Sequence, residues 1–117
     1  MSEILRVIAK PWGQEELLEH NSRYVLKKLT MWAGHRCSIQ YHEMKQETVY
    51  VLSGELVVYV GTSVETLTKR VLRSGDVLTL APLQVHRMEA ISDAVYLEAS
   101  TPELEDVVRL VDDYNRS

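Results

Sequence analysis

The sequence predicts an all-β fold, an antiparallel sandwich or barrel, on three observations. Valine and leucine dominate the apolar residues, and they come in short runs of about five to eight. Gly, Ser, Asp, Asn or Pro stands between the runs, and no long helical segment intervenes. Taken in order, the expected strands begin with Ile4 to Ala9 and Glu15 to Glu19. Asn21-Ser22 breaks the chain before Tyr24 to Trp32, and Ala33-Gly34 before Arg36 to His42. Glu47 to Leu52 and Glu55 to Val60 flank Ser53-Gly54, and Gly61-Thr62-Ser63 leads into Thr66 to Leu72. Ser74-Gly75-Asp76 precedes Val77 to Leu80, and Ser92-Asp93 separates Val85 to Ala90 from Ala94 to Ala99. The tail has two readings. Thr101-Pro102-Glu103 is a good helix start, and Leu104, Val107, Val108 and Val111 keep helical spacing, which favours a short C-terminal helix to about Asp113. The alternation of Val107, Arg109 and Val111 suits a strand equally well.

The chain has 117 residues, 45% of them apolar, enough for one domain spanning 1–117 with an adequate core and no cross-links. Thirteen basic residues stand against 17 acidic ones, for a net charge of −4, and no run of Lys or Arg occurs. That balance argues against nucleic acid or an anionic membrane surface as partner. Small molecules and protein partners remain. Cys37 is the only cysteine, so no intramolecular disulfide is possible and its expected role is that of a small apolar side chain. No apolar run is long enough to span a bilayer, and Met1 to Lys10 lacks a signal-peptide layout, so the expected location is cytoplasmic.

The chemistry concentrates in the stretch from Gly34 to Glu47. On a strand, Arg36, Ser38, Gln40 and His42 share one face. The four-residue polar loop Glu43 to Gln46 suits a hairpin that sets His42 opposite Glu47, with imidazole and carboxylate converging and Gln40 one step behind. Such a polar face between apolar strands is costly unless something satisfies it. A divalent metal would do so; nitrogen, carboxylate and amide donors suit Zn, Mn, Fe, Co or Ni, and the absence of thiolate ligands argues against a closed structural zinc site. A hydrogen-bonded or solvated polar patch is the competing reading. His86, after the turn Ala81-Pro82-Leu83-Gln84, is available as a further ligand.

Gly34, Gln40, His42, Glu47 and Gly54 stand at the intervals of the first motif of the cupin superfamily, and Gly75, Pro82 and His86 match its second. The chain therefore resembles cupins over nearly its whole length. Leu83 and Ala90 replace the glycine and asparagine usual in the second motif, and Glu43 and Met44 stand where further histidines are common. Glutamine at the first ligand position, together with Lys10-Pro11-Trp12-Gly13, the stretch Arg36 to His42 and the stretch Asp106 to Tyr114, is similar to the C-terminal isomerase domain of type II phosphomannose isomerases. The resemblance implies a double-stranded β-helix, or jelly-roll barrel, a metal at Gln40, His42, Glu47 and His86, and a homodimer formed through an edge strand and the outer face at Tyr50 and Leu52.

Lys27 falls among Val25, Leu29 and Met31, and could hold a phosphate or an enediolate oxygen or else snorkel out of the barrel. Arg36 could grip a phosphate or carboxylate from the mouth, or form a surface ion pair. Glu98 could point inward and act as a base. The implied function is a metal-dependent aldose-ketose isomerase acting on a sugar or sugar phosphate through a cis-enediolate. Two other classes compete with it. One is a non-catalytic sugar-binding or regulatory cupin. The other is an iron-dependent dioxygenase built on His42, Glu47 and His86, for which Gln40 is a poor fit.

Overall fold

The structure is a computed structural model that describes residues 6–116. Its chain order is β1 (Arg6–Lys10), β2 (Gly13–His20), β3 (Val25–Met31), β4 (Ile39–Tyr41), β5 (Glu47–Ser53) and β6 (Leu56–Gly61). A 3-10 turn, Val64–Thr66, precedes β7 (Thr68–Leu72), β8 (Val77–Leu80), β9 (Val85–Ala90), β10 (Ala94–Ser100) and β11 (Val108–Val111). Among the described residues there is no α-helix, and no helix is long and apolar enough to cross a membrane.

Two antiparallel sheets carry these strands. A 6-stranded sheet runs β1-β2-β3-β10-β5-β8, and a 5-stranded sheet runs β11-β4-β9-β6-β7. The inner faces meet in a core that includes Leu29, Met31, Val49, Val51, Leu56, Val58, Leu80 and Tyr96. Period-two patterning selects those faces: in β5, Glu47, Val49 and Val51 are buried while Tyr50 and Leu52 are exposed. Each buried Val or Leu contributes roughly 1.5 to 3 kcal/mol relative to exposure, which fixes the register because a one-residue slip would turn the whole row outward. Gly54 makes the β5–β6 turn at φ 80, and a Cβ there would stand 2.1 Å from the Asp93 carbonyl oxygen.

Three expectations change. First, β4 and β5 do not form a hairpin. They belong to different sheets, and residues 43–46 carry the chain across the sandwich. Second, the strand expected from Arg36 to His42 is regular only over Ile39–Tyr41. Arg36 bridges Glu89 and Gln40 pairs with His86, so four residue steps on one strand oppose three on the other. The extra residue is a bulge, and it moves Arg36 off the face that holds Gln40.

Third, the tail forms no helix. Residues 102–107 make turns, and β11 then pairs with the edge of β4, Val108 opposite Tyr41 and Arg109 opposite Gln40. The β-branched valines suit that ladder better than a helix, and β4 offers a sheet edge to satisfy the backbone. Of the first expected strand, Ile4 and Leu5 lie outside the described residues.

Candidate metal centre

Three buried side chains converge between the sheets. His42 follows β4, His86 lies on β9, and Glu47 opens β5 in the opposite sheet. His42 Nε2 and His86 Nε2 each stand 3.2 Å from Glu47 Oε1, and the potential ligand atoms of the three residues lie within 4.8 Å of one another. The rings are 5.1 Å apart between centroids.

The outer nitrogens settle what the inner ones can do. His42 Nδ1 bonds the Asp106 carbonyl, and His86 Nδ1 bonds the Gln84 carbonyl at 2.9 Å. A carbonyl oxygen only accepts, so Nδ1 carries a proton in both rings, and a ring in its neutral form turns the Nε2 lone pair toward the Glu47 carboxylate. With both rings neutral the arrangement is acceptor against acceptor. His86 Nε2 is buried with no hydrogen-bond partner. Protonating both rings would place two like charges side by side in the interior. One divalent cation satisfies all three acceptors, and backbone carbonyls on the far ring nitrogens are the usual support for metal-binding histidines. The residues present fit a metal.

The Glu47 carboxyl is pushed well below the usual carboxylate range: burial opposes this, but hydrogen bonds from the imidazoles, where Nε2 carries a proton in the metal-free protein, and the charge of Lys45 outweigh it. Gln40 sits opposite His86 on the neighbouring strand, and its Oε1 accepts the Ser38 hydroxyl at 2.8 Å. On the facing sheet, Glu98 is inward and buried beside Glu47. Burial, then the charge of Glu47, pushes its carboxyl up to about 8.

Lys27 lies directly across from Glu98 and forms an ion pair with Glu15. Burial alone would lower the Lys27 ammonium, but Glu98, Glu15 and Glu47 hold it above its ordinary value. Lys10 also reaches Glu15, at 3.4 Å. A cavity of about 290 Å³ opens onto this row, with Gln40, His42, Lys27 and Glu98 in its wall. Six basic side chains, Arg6, Lys10, Lys27, Lys45, Arg109 and Arg116, line it against the carboxylates of Glu15, Glu98 and Glu105. The net charge of the chain is negative, yet basic side chains outnumber carboxylates in the cavity wall, with Lys10 and Lys27 paired to Glu15, Lys45 to Glu47 and Arg116 to Asp112.

The family pattern described as cupin domain matches residues 28–100, more than half of the chain. The protein belongs to the cupin family. This cupin is 30% identical over 63 residues to mannose-1-phosphate guanylyltransferase 2 of Escherichia coli O157:H7, a match that covers 54% of the chain but only 13% of that protein. Its fold is similar to that of KdgF from Halomonas sp., with a TM-score of 0.73 and 19% identity over 84% of this chain and 86% of that one. It is also similar to the oxalate decarboxylase of Bacillus subtilis, a protein with Mn(II) centers, at a TM-score of 0.77 and 19% identity over 90% of this chain and 30% of that one.

Within this cupin, the structure brings together Gln40, His42, Glu47, His86, Lys27 and Glu98. It does not bring Arg36 to them. The bulge turns that guanidinium outward onto Asp113, and Arg36 is not among the residues lining the cavity. Sequence reasoning missed Glu15, Lys45 and Asp106. Glu15 was legible, because it alternates with Leu17 on the inner face of β2. Lys45 and Asp106 sit in irregular segments with no periodicity to betray them. Yet Lys45 is 5% exposed with Nζ 3.7 Å from Glu47 Oε2, and Asp106 gathers the loop that carries it.

Proposed function

We propose that this cupin is a metal-dependent isomerase of an anionic sugar, interconverting aldose and ketose forms of a sugar phosphate. Gln40, His42, Glu47 and His86 are the proposed ligands of a divalent transition metal, Zn, Mn, Fe, Co or Ni. When bound, the metal supplies electrostatic stabilisation of negative charge developing on adjacent substrate oxygens. The chain's own residues do the rest. Glu98 stands beside Glu47 in the cavity wall and is placed to exchange a proton with a substrate carbon or oxygen there. Lys27, fixed by Glu15, presents an ammonium to the same space and orients substrate oxygens. The basic wall draws in the phosphate, with Arg109 and Arg116 in place of the more remote Arg36.

The observation that carries this reading is the buried His42–Glu47–His86 triangle opening onto a cation-lined cavity. The test is incubation of metal-loaded protein with hexose phosphates in deuterated water. The expected result is deuterium at C2 with wild type and its loss with Glu98→Gln. Binding without exchange would instead support a sugar-binding cupin, and oxygen uptake with iron a dioxygenase. We also propose a homodimer through the outer face where Tyr50, Leu52 and Val77 are exposed; sedimentation of wild type against Tyr50→Glu tests it.

A further inference from the structure

The turn after β10 is tied to the loop between β4 and β5 at both ends. Thr101 N–H donates to the Gln46 carbonyl at 3.0 Å, and Gln46 N–H donates to the Thr101 hydroxyl at 3.0 Å. Five residues on, the Asp106 carboxylate accepts three consecutive backbone N–H groups, those of Glu43 at 3.0 Å, Met44 at 2.7 Å and Lys45 at 2.9 Å. Three converging N–H groups form an anion-holding concavity, and here the anion is supplied by the chain itself. The main-chain carbonyl of the same residue accepts the Nδ1–H of His42.

We propose that Asp106 is a positioning residue for the metal centre: its carboxylate anchors the ligand loop, so that its carbonyl selects the His42 tautomer whose Nε2 lone pair faces Glu47. The inference rests on the reading of His42 as a metal ligand. It also extends the site beyond the matched cupin segment, which ends at residue 100. A purely mechanical fastening would need the carboxylate alone. The carbonyl contact is what ties the fastening to the chemistry of the ring, because without an acceptor at Nδ1 the proton is free to move to Nε2 and block coordination.

The test compares Asp106→Ala, Asp106→Asn and Asp113→Asn with wild type, by nitrogen-15 NMR of the imidazoles in metal-free protein and by zinc titration calorimetry. The control, Asp113, holds the same tail through Arg36 and Arg87, away from His42. Wild type is expected to show His42 protonated at Nδ1. Asp106→Ala is expected to show mixed tautomers and zinc affinity lower by roughly 10- to 100-fold. Asp106→Asn, which keeps one acceptor oxygen and guards against loss of fold, falls between, and Asp113→Asn matches wild type. An unchanged His42 tautomer in both Asp106 variants, or an equal shift in Asp113→Asn, overturns the proposal. If wild type takes up no zinc but Asp106→Ala still shifts the tautomer, the metal reading fails and the positioning role stands.

Discussion

His42 and Glu47 approach to 3.2 Å from opposite sheets, although four residues separate them in the chain. The segment between them crosses the sandwich, so a single loop delivers an imidazole from one wall and a carboxylate from the other. His86 completes the triangle from β9, next to β4, the strand that His42 follows. The site is therefore sensitive to the spacing of the sheets as well as to its three side chains.

Glu47→Gln keeps the shape of the side chain and removes its charge. Metal affinity should fall on the order of 100-fold or more, since an amide replaces the one anionic ligand. Calorimetric titration with Zn or Mn measures this; affinity within a few-fold of wild type would remove Glu47 from the site.

Glu98 gives the metal-free protein a pH dependence of defined sign. Its folded-state value, about 8, lies above the unfolded value, so its contribution to stability is full below about pH 4.5 and is lost as pH rises through 8. Glu98→Gln cannot ionise. Relative to wild type, the variant should gain roughly 2 to 4 kcal/mol of stability between about pH 5 and 8. Urea unfolding across that window tests the sign, and a gap that does not change with pH would contradict it.

Leu83 occupies the left-handed region at φ 70 and is 62% exposed. Its N–H donates to the His42 carbonyl at 2.7 Å, which holds the strained turn against the ligand strand. Leu83→Gly removes strain of about 1 to 2 kcal/mol and adds unfolded-state entropy of somewhat less. The expected net gain is about 0.5 to 1 kcal/mol, a rise in Tm of about 4 °C by calorimetry. A drop in Tm would mean that the leucine side chain makes a stabilising contact.

The Cys37 thiol is buried, and burial pushes it up to about 11. At pH near 8 its thiolate fraction is roughly 100-fold below that of an ordinary cysteine, before access is counted. Native protein should leave a disulfide reagent unreacted over the time in which unfolded protein reacts fully.

Much of the fold was legible because alternation of apolar and polar residues is a local signal, and ten expected strands fall on β1 to β10. The tail was not. Helix-like spacing of Leu104, Val107, Val108 and Val111 was overruled by an open edge on β4, a partner remote in sequence. The site shows the same division. Lys27 was found by counting in twos along its strand, and Glu98 was named only as an inward candidate, whereas Arg36 was misplaced because one extra residue before Gln40 reverses the count. His42 and Glu47 do converge, but across the sandwich rather than along a hairpin. Asp106 was invisible, since its contacts join residues more than sixty positions apart.

The most direct measurement is an anomalous difference map from crystals grown with Mn(II) or Zn(II). One strong peak is expected between His42 Nε2, His86 Nε2 and Glu47 Oε1, about 2.0 to 2.2 Å from each, and no such peak in crystals of Glu47→Gln. A map with no peak among those three atoms, from crystals soaked to saturation, would contradict it.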